Sequence, residues 1–447
     1  MKRIISSALR SWKEQPTRKP LLVRGARQVG KTWVARELGK LFKEFIEINF
    51  ELYPEAKKIF HRDLDPKRLI RDLSLLVGKR IVPGEALIFF DEIQEEPKAI
   101  QALRYFYELL PAQHVIAAGS LLDFELEKIG MPVGRVCSLY MFPLSFLEFL
   151  AARNETLLIE MIVEHKEATP VSEPVHRKLL RLLGEYFAIG GMPEAVAGWR
   201  ESGDMKTCAA IHRAIVDTYR QDFNKYVQKF QIKYVDLLFN LIPARLSKRF
   251  KFSEVPGEYR KRDLQPALEL LVKAGVMHKI IHSSGAGIPL GAQVKPDTFK
   301  PIFLDLALAQ SLLGLETASW LLEPEVNFVN KGEITEAFCG QEILAYSSVD
   351  LKPQLYFWQR QERSSNAEVD YLIQRDHQIL PVEVKSGAPG TLKSLRLFLE
   401  AHKRLRYGIR LSALNYAADD RLLSMPLYAM ARVMNFTKEQ AGGLVKI

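Results

Sequence analysis

Apolar residues in the first 150 positions follow two patterns that alternate along the chain. Apolar runs predict strands, and continuous runs are typical of strands that are buried on both faces. These runs lie at residues 21–23, 45–50, 86–90 and 115–120. Between them, apolar side chains recur at helical spacing at residues 34–38 and 101–110. Strands that alternate with helices predict an α/β fold, with a parallel sheet and helices on both of its faces.

The pattern changes further along the chain. Residues 152–240 have a helical pattern almost throughout. A short helix near 252–255, a helix at 264–272 and a strand at 275–281 come next, and the strand runs into a glycine-bearing turn. Helix, helix, strand and turn in this order predict a winged-helix-like region.

A helix and three strand-like runs are predicted in the last part of the chain. The helix covers residues 333–346, and the strand-like runs lie at 355–358, 368–373 and 379–385. We therefore expect an α/β unit at 1–150, a helical unit at 151–240, a winged-helix-like unit at 241–330 and a small α/β unit at 331–447.

Composition and charge narrow the function classes. The chain has 447 residues, 63 of them basic and 53 acidic, so its formal net charge is +10. This balance favours an anionic partner, with nucleic acid ahead of a membrane, because no amphipathic basic helix stands out.

No apolar run reaches the roughly 18 residues that span a bilayer, and the first residues have no apolar core of a signal peptide. Three cysteines lie far apart without metal-ligand spacing, and we expect a cytoplasmic protein.

The first strand runs into a glycine-bearing loop of the form G-x-x-x-x-G-K-T, which opens the next helix. Backbone N–H groups at a helix N-terminus, together with the helix dipole, form an anion site. Lys31 would reach the β- and γ-phosphates of a nucleoside triphosphate, and the hydroxyl of Thr32 would bind Mg²⁺. The residues predicted to surround the nucleotide are Gly25, Ala26, Arg27, Gln28, Val29, Gly30, Lys31, Thr32 and Trp33.

Two acids end the buried run at residues 86–90, where the carboxyl end of a parallel strand would place them beside the loop. Asp91 is predicted to hold Mg²⁺, and Glu92 is predicted to polarise the attacking water. Ser120 ends the next buried strand, where it is either a sensor of the γ-phosphate or an ordinary strand-end serine.

Four motifs together resemble one bacterial and archaeal family, the AAA+-like ATPases that carry a C-terminal domain of unknown function. They are G-A-R-Q-V-G-K-T, F-F-D-E-I-Q, A-A-G-S and M-F-P-L-S-F-L-E-F-L, the last at residues 141–150. The resemblance implies hydrolysis of ATP with Mg²⁺. It also implies a role for Arg135 as an arginine finger or a cis sensor, although an ordinary surface arginine is an equal alternative. An arginine finger would act on the nucleotide of a second copy of the chain, so the resemblance leaves open whether the protein forms a homo-oligomer.

Basic residues surround the predicted winged helix. They are Arg245, Lys248, Arg249, Lys251, Arg260, Lys261 and Arg262. They would contact the phosphates of DNA if the second helix entered a groove. The alternative is a winged helix that packs against protein, with these side chains simply in solvent.

Four residues of the last unit resemble the core of PD-(D/E)xK nucleases. Glu342 falls on an apolar helix stripe, Asp370 lies in the second strand, and Glu383 and Lys385 share one face of the third. In such enzymes the carboxylates bind Mg²⁺ and the lysine orients water. Here valine, not proline, precedes the aspartate. Cleavage of DNA and a fold kept for binding alone both stay open, so the chain acts either on DNA or as a nucleotide-dependent signalling switch.

Overall fold

A parallel sheet of five strands forms the first layer of the computed structural model. The strands are β1 (Leu21–Arg24), β2 (Glu44–Asn49), β3 (Ala86–Asp91), β4 (His114–Ala118) and β5 (Cys137–Tyr140), in the order β2-β3-β4-β1-β5. All neighbouring pairs are parallel. The structure describes residues 1–120, 122, 126–127, 130, 134–165, 169–226, 229–360, 367–375, 377–385 and 392–445, with only the backbone at 226, 229 and 230.

Helices cover both faces of this sheet, which is why β3 and β4 are buried at every position. On one face α1 (Ile5–Glu14) and α2 (Lys31–Gly39) pack against Phe89 and Ile116. On the other face α4 (Pro66–Val77) and α5 (Pro97–Leu109) pack against the alternate side chains of the strands, and α3 (Pro54–Ile59) lies beside them. The α/β fold with a parallel sheet is therefore confirmed for the first part of the chain.

A run of helices comes after the sheet, as the pattern predicts. These helices are α6 (Phe146–Ala152), α7 (Thr156–Glu164), α8 (Glu173–Ile189), α9 (Pro193–Ser202), α10 (Met205–Tyr226) and α11 (Lys229–Leu241). After a 3₁₀ turn at Phe252–Glu254 come α12 (Lys261–Lys273) and a strand pair, β6 (Met277–Ser283) and β7 (Val294–Phe303). Helix, helix and antiparallel strand pair thus succeed one another in the predicted order.

The strands of the last part of the chain join this strand pair in a second sheet. They are β8 (Leu355–Gln359), β9 (Glu368–Arg375), β10 (Gln378–Val384), β11 (Gly408–Ser412), β12 (Ala417–Asp419) and β13 (Leu422–Pro426). The order is β12-β13-β11-β10-β9-β8-β6-β7, with β6 parallel to β8. One sheet of eight strands therefore crosses the predicted boundary at residue 330.

Helices of the second half pack on this sheet and on the helical region. They are α13 (Leu306–Leu312), α14 (Ser319–Leu322), α15 (Pro324–Asn330), α16 (Gly332–Tyr346), α17 (Lys393–Ala401), α18 (Met430–Val433) and α19 (Lys438–Val445). The order from α16 onward is one helix, three antiparallel strands, one helix and a parallel strand.

Gly191, between α8 and α9, connects three regions through its backbone. Its carbonyl accepts a hydrogen bond from Leu144 N at 2.7 Å, and its N–H donates to Asp305 Oδ2 at 2.7 Å. A side chain at the preceding Gly190 would lie 2.4 Å from the carboxylate of Asp305, and the φ of Gly190 is +78°. Glycines therefore permit the close approach that joins the helical region to the end of β7.

Within the part of the chain that the structure describes, no helix combines the length and the apolar character that crossing a membrane requires.

Candidate functional site

The loop between β1 and α2, residues 25–32, has the geometry of an anion site and is called the nucleotide loop below. Gly25 has a φ of +153°, and a Cβ there would lie 2.2 Å from the carbonyl oxygen of Met141. Gly30, with a φ of +97°, begins α2, and no described side chain caps this helix. Since its first N–H groups have no partner within the helix, they are available to an anion such as a phosphate.

Lys31 lies inside the nucleotide loop with its ammonium group on backbone oxygens. Nζ donates to Ala26 O at 2.7 Å and to Gly25 O at 3.1 Å, and the residue is buried. Burial lowers the pKa of Lys31 to about 8, although Glu92 and Asp91 raise it in part. A poorly solvated cation over the loop is suited to exchange its carbonyl contacts for phosphate oxygens.

The carboxyl end of β3 meets the start of α2. Thr32 Oγ1 donates to Asp91 Oδ2 at 3.1 Å, and Asn49 Nδ2 donates to the same oxygen at 3.3 Å. Burial, and next the charge of Glu92, raise the pKa of Asp91. A hydroxyl and a carboxylate oxygen side by side are the hard ligands that Mg²⁺ prefers, so the residues fit the predicted metal.

Glu92 is held beside the end of β4 by two polar neighbours. Its backbone is left-handed, with a φ of +48°. Its Oε2 accepts from Gln94 Nε2 at 2.7 Å and lies 3.4 Å from the Oγ of Ser120. The structure therefore brings Glu92 and Ser120 together, as required for a shared role at the γ-phosphate.

Gln94 is a site residue that the sequence reasoning missed. It is buried, and its Oε1 accepts no hydrogen bond from the described residues. A Cβ at Gly119 would lie 2.1 Å from this oxygen, so the glycine makes room for the amide. Its position two residues after Glu92 is the signal that would have identified it.

Distant parts of the chain hold the nucleotide loop in place. Arg27 forms an ion pair with the buried Asp222 of α10, and the hydroxyl of Tyr219 donates to Arg27 O at 2.6 Å. Arg3 donates to Val29 O at 2.6 Å and forms an ion pair with Glu148 at 2.8 Å. Arg3, Tyr219 and Asp222 have no local sequence signal that links them to the loop.

Gln28, Val29 and Trp33 are the other residues predicted to surround the nucleotide. Gln28 takes the left-handed conformation, with a φ of +62°. Val29 is fully buried, whereas the Trp33 side chain on the first turn of α2 is 38% exposed. Trp33 is thus on the surface next to the loop.

Arg135 lies away from the nucleotide loop. Its Nε contacts Glu108 Oε1 at 2.7 Å near the C-terminus of α5, just before β5 begins. β5 is parallel to β1. Arg135 therefore lies at the N-terminal ends of the strands, whereas the nucleotide loop starts at their C-terminal ends. A cis role for Arg135 is therefore wrong for this structure, and a role toward a second copy of the chain stays a prediction.

The start of β6 touches the nucleotide loop from another side. A Cβ at Gly275, whose φ is +70°, would lie 3.4 Å from the N and Cβ atoms of Ala26. A cavity of about 260 Å³ separates the loop from α12 and β6 nearby, with Gly119 and His278 in its wall. The helix–strand pair after residue 241 is therefore a direct neighbour of the predicted phosphate site.

Several basic residues predicted for DNA have carboxylate partners on the surface. The pairs are Arg245–Glu254 at 3.3 Å, Lys248–Glu333 at 2.7 Å, Lys251–Glu254 at 2.8 Å and Lys261–Asp297 at 3.0 Å. Exposed pairs of this kind contribute about 0–1 kcal/mol each, so they can exchange partners at little cost. Lys261 and Arg262 lie exposed on the first turn of α12.

Glu342 does not join the other three residues of the predicted nuclease-like set, so that part of the prediction is wrong. Its Oε1 accepts from Phe146 N at 2.9 Å at the start of α6. The acid of α16 that faces β9 is Glu336, six residues earlier, which is about 9 Å along the helix and about 240° around it. Periodicity identified an acid on a buried face but assigned it to the wrong neighbour.

Asp370, Glu383 and Lys385 do lie on neighbouring strands of one sheet. Asp370 Oδ2 accepts from Val384 N at 2.7 Å across β9 and β10. Glu383 forms an ion pair with Lys385 at 2.6 Å and accepts from Leu395 N of α17 at 3.1 Å. Among the described residues the acids gathered within ligand distance are Glu336, Glu368 and Asp370.

Family models match three separate parts of the chain. Residues 17–150 match the model described as AAA domain. With the loop, Lys31 and the Thr32–Asp91 contact in place, this match decides the class. The chain contains an AAA-type P-loop ATPase domain. Beyond the ATPase domain, residues 180–319 match a domain of unknown function (DUF8612), and residues 331–430 match another (DUF4143).

Solved structures with similarity to the chain include proteins of Pyrococcus abyssi and Aeropyrum pernix. The Walker-type ATPase of Pyrococcus abyssi is 17% identical over 69% of this chain and 94% of that chain, with a TM-score of 0.44. The ORC1 protein of Aeropyrum pernix, solved in complex with DNA, is 16% identical over 69% of this chain and 92% of that chain, with a TM-score of 0.31. No curated protein sequence matches the chain at a significant level.

Proposed function

We propose that the ATPase domain binds ATP with Mg²⁺ and hydrolyses it to ADP and phosphate. The observation that carries this proposal is the meeting of the nucleotide loop with the acid that ends β3, seen in the 3.1 Å contact between Thr32 and Asp91. Lys31 and Glu92 lie on either side of this contact, close enough for Glu92 to influence the pKa of Lys31. All four groups needed for phosphoryl transfer to water are thus around one helix N-terminus.

Each residue has a separate task in this scheme. The N–H groups at the start of α2 bind the phosphates, and Lys31 moves from Ala26 O to the phosphate oxygens. Thr32 and Asp91 would hold Mg²⁺, which when bound neutralises charge on the phosphates. Glu92, oriented by Gln94, takes the proton of the attacking water, and Ser120 contacts the γ-phosphate.

We further propose that the nucleotide state controls the region after residue 241. This is supported by the close approach of Gly275 to Ala26, while the ion pair of Arg27 with Asp222 joins the loop to the preceding helical region. A phosphate that moves the loop would have to move one or both of these contacts. In this proposal a bound phosphate shifts the chain toward the arrangement of these contacts that it binds better.

DNA is the partner that the charge favours, and a cytoplasmic setting is consistent with free cysteines. The exposed first turn of α12 with Lys261 and Arg262 would contact phosphates. The helix–strand order from α16 to β11 supports a PD-(D/E)xK-like module. The alternative is a signalling switch whose C-terminal module recognises another protein, and the surface ion pairs around α12 favour it.

Two substitutions test the ATPase proposal. Lys31→Ala should weaken ATP binding about 10- to 100-fold, because a charged hydrogen bond to phosphate is lost. Glu92→Gln should keep ATP binding but slow turnover about 10²- to 10⁴-fold, because the general base is gone. Equilibrium binding of a fluorescent ATP analogue and steady-state phosphate release would measure the two effects.

Matched controls are available on the same elements. Lys40→Ala removes an exposed lysine at the end of α2, and Glu95→Gln removes a half-buried acid next to Glu92. Both should bind and hydrolyse ATP as the unaltered protein does. Normal turnover by Glu92→Gln would refute the assigned base, and failure of the unaltered protein to retain any nucleotide would refute the proposal itself.

A further inference from the structure

Three carboxylates of the C-terminal module gather in a geometry suited to a cation. Glu336 comes from α16, and Glu368 and Asp370 come from β9. One oxygen of each lies within 4.8 Å of the others, and we call this group the acidic cluster. Burial, and next the neighbouring acids, raise the pKa of Glu336 to about 8 and that of Asp370 to about 6, so a positive charge among them is needed to favour their ionised forms.

That positive charge is a lysine of the neighbouring strand β7. The Nζ of Lys300 lies 2.6 Å from Glu336 Oε1, 2.8 Å from Glu368 Oε1 and 3.9 Å from Asp370 Oδ1. The ammonium group donates hydrogen bonds to Glu336 and Glu368, and its contact with Asp370 is an ion pair without a hydrogen bond. The side chain of Lys300 is 1% exposed, so its contacts are not shared with solvent.

The surroundings fix the lysine in this position. Lys300 lies opposite Ile280 in the β6–β7 pair, and its Nζ is 5.1 Å from the ring centre of Phe357 on β8. Burial lowers the pKa of Lys300, but the three carboxylates together raise it well above its ordinary value. The group is therefore a cation at neutral pH.

The other basic groups near these strands have their own partners. Lys385 forms an ion pair with Glu383 at 2.6 Å. Arg410 of β11 lies opposite Glu383 in the parallel register. Neither is needed to account for the charge of the acidic cluster.

We propose that Lys300 occupies the cation position of the acidic cluster permanently, so that the C-terminal module holds no divalent metal there. A PD-(D/E)xK-like fold implies Mg²⁺ among its acids, but the ammonium group and a metal ion need the same oxygens. The side chain of Lys300 is 1% exposed and its ammonium group lies on these oxygens, so a metal ion would have to displace it. The proposal concerns the acidic cluster alone, and it does not depend on ATP hydrolysis by the other domain.

Binding of Mn²⁺ to the full chain without nucleotide tests the proposal. The unaltered protein and the Asp370→Asn variant should bind the same number of Mn²⁺ ions, counted by electron paramagnetic resonance of the free ion. Lys300→Met should bind one additional Mn²⁺ per chain, because its three acids are then left without a cation. The double variant Lys300→Met/Asp370→Asn should lose this additional ion.

The controls separate this result from other causes. Lys279→Met removes a lysine of the adjacent strand β6 that pairs with Glu269, and it should create no new Mn²⁺ site. Any weak binding of Mn²⁺ at Thr32 and Asp91 is the same in the unaltered protein and in all of these variants, so it does not affect the difference in the number of bound ions. If Lys300→Met does not fold, the number of Mn²⁺ ions bound by the unaltered protein and by Asp370→Asn still tests whether the acidic cluster holds a metal ion.

Two results would overturn the proposal. One is a Mn²⁺ ion in the unaltered protein that Asp370→Asn removes. The other is a folded Lys300→Met protein that binds no additional ion.

Discussion

A single buried carboxyl group, that of Glu342, joins the C-terminal helix α16 to the first turn of α6. It accepts from Phe146 N, and the hydroxyl of Tyr346 on the same helix accepts from Leu147 N at 3.2 Å. Burial raises the pKa of Glu342 to about 8, although the bond from Phe146 lowers it in part. At neutral pH this group is therefore largely a neutral acid, which makes its burial tolerable.

The raised pKa of Glu342 predicts a specific dependence of stability on pH. Between about pH 4.5 and 8 the folded chain keeps this proton and the unfolded chain releases it. The free energy of unfolding should therefore fall by about 1.4 kcal/mol per pH unit on account of this residue as the pH rises through that window. Glu342→Gln, which is neutral at every pH, should remove this slope in urea unfolding measured from pH 5 to 8.

The control for this prediction lies on the same helix. Glu333 is largely exposed and pairs with Lys248, so Glu333→Gln should leave the slope nearly unchanged. Equal slopes in the Glu342→Gln variant and the unaltered protein would show that Glu342 is ionised in the folded state.

Sequence reasoning at the residue scale works where spacing along the chain fixes the geometry. Lys31 and Thr32 are predicted from the loop motif, and Asp91 is predicted from the end of a buried strand; the structure brings Thr32 and Asp91 into contact. Arg3 and Asp222 reach the loop from far away in the chain, and no local pattern marks such partners.

At the scale of elements, Asp305 joins the end of β7 to the turn between α8 and α9. Its Oδ1 accepts from Ala307 N and Leu308 N at the start of α13, at 2.9 Å and 3.1 Å. Its Oδ2 accepts from Gly191 N. One side chain thus caps a helix and also satisfies a buried N–H of another segment.

Asp305→Ala should therefore destabilise the chain more than the loss of an ordinary helix cap. We expect about 2–4 kcal/mol, since a cap contributes about 1 kcal/mol and an unpaired buried N–H costs a further 1–3 kcal/mol. The matched control is Asp204→Ala, which removes an exposed cap of α10 that accepts from Lys206 N and Thr207 N and should destabilise the chain less than Asp305→Ala does.

Chemical unfolding of both variants measures the difference. A loss for Asp305→Ala no larger than that for Asp204→Ala would contradict the joining role of Asp305.

Strands whose sequences are runs of apolar residues were predictable, and strands without such a run were not. The strands β3 and β4 are buried throughout and appear as continuous apolar runs. β5 is short and has an exposed first residue, and the strands after β10 belong to a region where no strand was predicted. β11 is buried at every position but was missed, because its sequence Gly-Ile-Arg-Leu-Ser contains no apolar run.

At the scale of the whole molecule, the proposed DNA role predicts coupling between two surfaces. Double-stranded DNA should bind with an affinity that falls as salt rises, and it should raise the rate of ATP turnover. Replacing Lys261 and Arg262 with alanine should weaken both effects, whereas Arg71→Ala on the exposed surface of α4 should not.

Turnover measured with and without DNA, together with the native mass, decides between the two functions. ATP turnover that DNA does not change would favour the signalling switch. A mass above that of one chain would support a role of Arg135 toward another copy.

The arrangement of the two sheets could not be predicted from the sequence. The pairing of β6 with β8 joins residues about 75 positions apart, and several helices lie between them in the chain. Local periodicity predicts each strand but contains no information about which strand lies beside it.

The shared sheet also affects how the chain can be divided. A cut between residues 330 and 331 would pull β6 away from β8 and leave each fragment with a row of N–H and C=O groups that had been paired. Unpaired strand edges form hydrogen bonds with strands of other molecules, so each half prepared alone should tend to self-associate. Residues 241–330 are therefore best kept attached to the C-terminal module.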